Sequence, residues 1–323
     1  MPRVLVTGAL GQIGRDLTAR LRARYGADAV LATDIRHPNG TAAAGPTALL
    51  DATDEAAIER LVQEHGATEV VHLASLLSAT SEKKPDVAWT VNLGGLRSVL
   101  AVAQRHGLKV FWPSSIAVFG PGLPPEQVPQ QVPLVPSTMY GVTKVAGELL
   151  CHYAAGQGLD VRSLRFPGLI SHSAPAGGGT TDYAVDIFHA AVQGERFTCF
   201  LRPETRLPMM YMPDAVGAVE RLMDAPADAL TVRTSYNLGA LSFSCEELAA
   251  AIGRRRPGFE IDYAPDFRQA IADSWPDSVD DSAARADWGW QPEYDLDQMV
   301  DDMLLHLERR YASEAAEPAS SPS

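Results

Sequence analysis

Along the first half of the chain, short apolar runs alternate with longer segments whose apolar positions recur at helical spacing. The run 2–6 closes on Thr7-Gly8, and Ile13, Leu17 and Leu21 then mark one face of a helix. Runs at 29–32, 69–73, 109–112 and 161–166 repeat the strand pattern, while 55–64, 87–105 and 140–155 repeat the helix. Such alternation predicts an α/β protein: a doubly wound parallel sheet (a Rossmann fold), covered by helices on both faces and wound by right-handed crossovers. Beyond residue 166 the rhythm loosens into a glycine-rich stretch at Gly177, Gly178 and Gly179, a helix over 182–193, and shorter proline-rich elements. Three parts are predicted. Residues 1–166 form the Rossmann domain, its sheet completed by part of the later chain; 167–311 form a smaller, interleaved α/β lobe for substrate; and 312–323, mostly Ala, Ser, Glu and Pro, form a disordered tail. The segment 121–136, with six prolines, reads as a loop and not a boundary.

Composition narrows the partners. The 323 residues, 46% of them hydrophobic, suffice for one large core with a lobe attached. Forty acidic residues against 27 basic ones give a net charge of -13, a field that repels nucleic-acid phosphates and anionic membranes. Neither is expected as a partner. No apolar stretch reaches the roughly 18–20 residues of a membrane span, and the N-terminus lacks the basic stretch and apolar core of a signal peptide; a cytoplasmic location is expected. Cys151, Cys199 and Cys245 are odd in number, widely spaced and free of any Cys-x-x-Cys pattern, so neither a disulfide framework nor a metal site is predicted.

Thr7-Gly8-Ala9-Leu10-Gly11-Gln12-Ile13-Gly14 falls where the first strand hands over to the first helix. Glycine is needed there because side chains would keep the backbone away from a pyrophosphate, and the helix start supplies free N–H groups and a partial positive charge. Gly8, Gly11 and Gly14, with Gln12 and Ile13 in the first turn, are therefore candidate cofactor contacts. Asp34, twenty residues after Gly14 at the end of the second strand, is placed to accept hydrogen bonds from an adenosine ribose. Its charge would repel a 2′-phosphate, which favours NAD; Arg36 is the one residue that keeps NADP open. Later strand ends face the same crevice: Asp51-Ala52, His72-Leu73-Ala74 and Pro113-Ser114-Ser115. His72 reads as a structural strand-end residue.

Tyr140 and Lys144 stand one helical turn apart on one face. A neighbouring positive charge favours phenolate, so Lys144 is expected to draw the Tyr140 pKa down toward neutrality, making it a general base for an alcohol proton. Ser115, at a strand end 25 residues earlier, can reach the same crevice and hydrogen-bond the reacting oxygen. Only four of the 27 basic residues are lysines, and a lysine here fits a compact ammonium that also grips a ribose hydroxyl.

Taken together, the glycine pattern, Asp34, Pro113-Ser114-Ser115-Ile116-Ala117-Val118-Phe119-Gly120 and Tyr140-x-x-x-Lys144 resemble the extended short-chain dehydrogenase/reductase family. Further stretches are similar to one branch of it, the short-chain-type L-threonine 3-dehydrogenases: His72-Leu-Ala-Ser-Leu-Leu-Ser-Ala79, Arg165-Phe-Pro-Gly-Leu-Ile-Ser171, Gly177-Gly-Gly-Thr-Thr-Asp-Tyr-Ala184 and Leu207-Pro-Met-Met-Tyr-Met-Pro-Asp-Ala215. The likeness runs over about residues 2–310. It implies NAD as cofactor, Tyr140 as base, Lys144 as its partner, and Ser115 in preference to Ser114 as the hydroxyl ligand. Asn92 and Pro167 complete the expected cofactor contacts. The substrate set it implies is Ser78, Thr180, Thr181 and Asp182, with Trp275 closing the pocket; for Thr180 and Asp182, helix capping stands as an equal alternative. Asp214 reads as a helix cap. The implied reaction oxidises the C3 hydroxyl of L-threonine to 2-amino-3-oxobutyrate without a metal, in a homodimer paired through 87–105 and 140–155. The alternative is a sugar-nucleotide epimerase or dehydratase, in which Arg196, Arg202 and Arg206 would meet a diphosphate.

Overall fold

A run of consecutive apolar residues is stable as a strand where both of its faces are covered, and the main sheet is built that way. The computed structural model describes residues 1–37, 44–174 and 177–316. The first half contains β1 (Val4–Thr7), α1 (Gln12–Tyr25), β2 (Val30–Asp34), β3 (Thr47–Leu49), α2 (Glu55–His65), β4 (Glu69–His72), α3 (Ser78–Lys83), α4 (Pro85–Ala88), a π-helical segment (Trp89–Gly94), α5 (Gly95–His106), β5 (Lys109–Ser115) and α6 (Met139–Gly156). It continues through β6 (Val161–Phe166), β7 (Gly168–Ile170), α7 (Tyr183–Gln193), β8 (Phe197–Cys199), β9 (Arg206–Tyr211), α8 (Met212–Asp224), β10 (Tyr236–Asn237) and β11 (Leu241–Ser244). The last elements are α9 (Cys245–Arg255), β12 (Ile261–Tyr263), α10 (Arg268–Ala272), α11 (Ser282–Trp288) and α12 (Leu296–Ala316).

Seven strands pair in the order β10-β6-β5-β4-β1-β2-β3, every pair parallel. The chain winds outward from β1 in both directions, so a crevice opens between the carboxyl ends of β1 and β4. Val4 and Val6 join a core with α1 and α8, while Leu5 joins the opposite core with α2 and α5. The second lobe has two small sheets, β11-β9-β7 and β12-β8. Phe188, Leu207, Phe243, Leu248 and Met303 form its core, under α7, α9 and α12. β10 returns to the main sheet, and α8 and α11 pack on the first core. No helix among the described residues is long and apolar enough to cross a membrane.

Two expectations are corrected. The helix expected over 87–105 is instead α4, a π-helical segment and α5. The wider turn sets Asn92 facing the loop after β4, where Nδ2 and Oδ1 bond the Leu76 carbonyl and N–H at 3.2 and 2.8 Å. The expected tail begins too early: α12 continues through Ala316, because Ala and Glu favour helix and Arg310 pairs with Glu314 one turn on at 2.9 Å. Residues 317–323 of that expectation lie outside the described residues. The proline-rich segment is a loop stitched to the later chain, Val128 N–H donating to Ser278 O at 3.1 Å and Asn237 N–H to Gln130 Oε1 at 2.8 Å.

One buried charge pair ties these parts together. Glu148 on α6 accepts from Arg165 on β6 at 2.8 and 2.7 Å and from the Ser114 hydroxyl on β5 at 2.6 Å. Arg165 also donates to the Gln130 carbonyl and to Asn237 Oδ1 on β10, both at 3.0 Å. Glu148 and Arg165 are 1% and 3% exposed. Truncating one partner strands the other's charge, so Glu148→Ala is expected to cost about 3–5 kcal/mol, read as a lowered midpoint in urea denaturation.

Candidate active site

The turn after β1 is shaped by contacts only glycine allows. Gly8 has φ +70°, and a Cβ there would lie 2.7 Å from the Ala74 nitrogen in the loop after β4. A Cβ on Gly14 would lie 2.3 Å from the Gly8 carbonyl oxygen, so α1 presses directly on the turn. Gly11 is the N-cap of α1, and no side chain caps the helix. The first-turn N–H groups are thus left for a ligand at the positive end of the helix. Asp34 is buried and anchored: Oδ2 accepts from Leu10 N–H at 3.1 Å and Oδ1 from Arg36 N–H at 3.2 Å, leaving a lone pair on each oxygen. The Arg36 side chain is 68% exposed, with its Nε 3.6 Å from the same carboxylate.

Across the crevice, α6 lies close on β5 because Gly147 meets the Trp112 ring, where a Cβ would come within 2.4 Å. This brings the Lys144 ammonium to 4.6 Å from the Trp112 ring centroid and 5.3 Å from that of Tyr140. Lys144 is 2% exposed and donates to the Pro113 carbonyl at 2.6 Å. Ser115 Oγ accepts from Ala117 N–H at 3.2 Å and lies within hydrogen-bond reach of the Tyr140 phenol. Ser114, the rival for that role, is committed to Glu148.

The expected electrostatics are reversed. Burial pushes Tyr140 up to about 12, although a hydrogen bond with Ser115 draws it the other way. Burial likewise pulls Lys144 down to about 7, while Cys151 and Glu148 raise it. Desolvation is the largest cause for both groups, so Lys144 alone does not bring Tyr140 to neutrality. His72 is the structural residue expected: Nδ1 meets Thr7 Oγ1 at 2.7 Å, and burial followed by Lys144 holds its pKa at about 3.

The crevice lining gathers most of the anticipated positions: Gly8, Gly11, Gln12, Ile13, Gly14 and Leu73 on one side, Ser115, Tyr140, Lys144 and Pro167 on another, and Ser78, Thr180, Thr181, Asp182 and Trp275 from the loops and second lobe. Others stand apart. Asp51 folds into a turn with Thr53 N–H and Oγ at 2.9 and 2.8 Å, Ala52 is buried, and Ala74 backs Gly8. Asn92 is held away from the lining by Leu76 and by Thr143, whose Oγ1 accepts from it at 3.1 Å. Asp182 is the N-cap residue of α7, but its side chain does not cap the helix; Oδ2 accepts from both Gly178 and Gly179 N–H at 2.7 Å, which leaves Oδ1 without a partner among the described residues. The Gly178 and Gly179 N–H groups are therefore not available to a ligand. Asp214 likewise leaves its own helix, α8, and accepts from Glu293 and Tyr294 N–H. Ser75, Leu77, Ile116, Phe166, Gly168 and Leu169 also line the crevice and were not anticipated. Pro167-Gly168 carried the one usable signal: a Cβ on Gly168 would strike Met209 Sδ at 2.4 Å and Thr181 Cγ2 at 2.7 Å.

Bare backbone at a helix start, an anchored acid at the next strand end and an orphaned helix N-terminus fit a dinucleotide. The fold and the crevice are those of an extended short-chain dehydrogenase/reductase, whose cofactor is NAD. More narrowly, the sequence profile of the NAD dependent epimerase/dehydratase family matches residues 4–239, and the chain belongs to that family. An uncharacterized epimerase/dehydratase of Staphylococcus haemolyticus is 49% identical over 314 residues, 96% of this chain and 99% of the relative. The holo form of an L-threonine dehydrogenase from Cupriavidus necator superposes with a TM-score of 0.93 at 54% identity, covering 95% of this chain and all of that one. An L-threonine dehydrogenase from Clostridium difficile gives 0.94 at 46% identity, covering 96% and 98%.

Proposed function

We propose that the protein oxidises the C3 hydroxyl of L-threonine to 2-amino-3-oxobutyrate. The observation that carries this reading is a pair of orphaned groups. The Thr180 hydroxyl and the Trp275 indole N–H are buried at the crevice and have no hydrogen-bond partner among the described residues. Each such group costs about 1–3 kcal/mol unless a polar ligand meets it, and a small amino acid carries hydroxyl, carboxylate and ammonium close together. The 54% and 46% identities to L-threonine dehydrogenases support the same substrate. For a sugar diphosphate the alternative needs free basic residues, yet Arg196 pairs with Asp262 and Glu260, Arg202 with Glu204 and Asp273, and Arg206 with Glu247.

Gly8, Gly11, Gln12, Ile13 and Gly14 would hold the cofactor phosphates, and Asp34 the adenosine ribose. Bound NAD supplies a hydride acceptor. Ser115 holds the substrate oxygen through its hydroxyl, and Tyr140 takes the substrate's hydroxyl proton at its phenolic oxygen. With its pKa at about 12 in the free protein, Tyr140 needs a cation brought close to act as a base at neutral pH, and the nicotinamide charge adds to that of Lys144. Ser78 and Thr181 face the substrate beside Thr180.

Purified protein is expected to form NADH with L-threonine, and not with L-serine, L-allo-threonine, 3-hydroxybutyrate or a panel of UDP- and GDP-sugars at comparable rates. Tyr140→Phe is expected to lower that turnover by about 10²–10⁴ while leaving NAD affinity nearly unchanged; full activity in the variant removes Tyr140 from the chemistry.

The Lys144 ammonium, when it grips a ribose hydroxyl, makes cofactor binding depend on pH with a defined sign. Below about pH 7 the free protein already carries that charge; above it, binding must restore the proton. The Kd for NAD is expected to be flat below pH 7 and to rise by up to about tenfold per unit above it, a slope lost in Lys144→Met and measurable by calorimetric titration.

A homodimer fits the surface. Val142, Leu149 and Tyr153 expose one apolar stripe along α6, beside exposed Val87 and Trp89. Sedimentation is expected to give twice the 34.6 kDa chain mass, falling to the single mass in Leu149→Glu.

A further inference from the structure

Away from the crevice, three side chains of the second lobe converge. His172, in the loop after β7, lays its ring against that of His306 on α12, with centroids 4.0 Å apart and planes 8° from parallel. Asp302, one turn before His306, brings Oδ1 to 3.6 Å from His306 Nε2, while its Oδ2 accepts from the buried Tyr211 hydroxyl at 2.6 Å. One ligand-type atom from each of the three lies within 4.8 Å of the other two, and all three residues are half-buried. We propose that His172, Asp302 and His306 bind a divalent transition-metal ion of the zinc or cobalt class.

The donor set selects that class. Two imidazoles and one carboxylate suit zinc and its first-row neighbours, whereas magnesium and calcium favour oxygen ligands throughout. A tetrahedral zinc ion holds its ligand atoms about 3.3 Å apart, so binding one requires the two stacked rings to tilt apart and turn a nitrogen each toward a common point. The carboxylate is already oriented: Tyr211 occupies one oxygen and stacks edge-on against Tyr294 at 4.9 Å, leaving the other oxygen for an ion. An exposed ion pair on one helix accounts for Asp302 and His306, but not for a third donor delivered by a loop far away in sequence. The sequence offered no sign of this site, because Asp302-x-x-x-His306 is a common helical pair and His172 joins it only in the fold. A bound ion would tie the loop leading to Thr180, Thr181 and Asp182 to the last helix.

The test uses the full chain without an affinity tag, stripped with chelator, then titrated with Co²⁺ by visible absorption and with Zn²⁺ by calorimetry, with Mg²⁺ as control. One ion per chain is expected, with visible bands of a nitrogen-ligated cobalt centre and a Tm rise of about 2 °C or more at saturating Zn²⁺. The double variant His172→Ala/His306→Ala is expected to lose the bands and the Tm rise while keeping basal NADH formation. His306→Gln alone, at a side chain 40% exposed, serves where the double variant does not fold, and is expected to weaken Zn²⁺ binding at least about tenfold. No saturable binding by the wild type, or equal binding by the variants, overturns the proposal.

Discussion

The Glu148–Arg165 pair is the contact on which the geometry of the crevice rests. α6 carries Tyr140 and Lys144, β5 ends in Ser115, and β6 leads to Pro167 and Gly168. Glu148 joins the first of these elements to the second through Ser114 and to the third through Arg165. Arg165 extends the network to Asn237 on β10 and to the proline-rich loop at Gln130. In water such a pair contributes little, but with both groups buried neither can lose its partner without large cost. The pair therefore specifies one arrangement of α6 against the sheet.

Burial of the same region sets the chemistry. Net charge of -13 makes the exterior acidic, yet the crevice gathers the positive end of α1 and one ammonium. Desolvation leaves both the phenol and the ammonium of the reacting pair disposed to neutrality. In such a site a positive charge brought close by a ligand would favour the ionised phenol. His72 beside them stays neutral and serves the architecture.

The second lobe contributes by constraint. Asp182 ties down Gly178 and Gly179, Thr181 packs on Gly168, and Thr180 and Trp275 keep unsatisfied polar groups at the crevice. The result is a lining with few free charges, suited to a small polar molecule. The His172, Asp302 and His306 cluster joins the loop after β7 to the last helix.

Periodicity and turn chemistry are local properties, and the sequence alone determined what depends on them. The strands at 4–7, 30–34, 69–72 and 161–166, the glycine turn with its acid at Asp34, and the Ser115, Tyr140 and Lys144 set follow from residues near one another in the chain. The second lobe was legible only as a loosened rhythm, since its strands are short and pair with distant partners. Tertiary structure decided the rest because burial and long-range neighbours are not written in spacing. It reversed the expected direction of the Tyr140 pKa, tied Asp182 to Gly178 and Gly179 of its own loop, and braced Asn92 between Leu76 and Thr143. It also committed the Ser114 hydroxyl to Glu148. Helical spacing could place an ammonium beside a phenol; only the fold could remove the water from both.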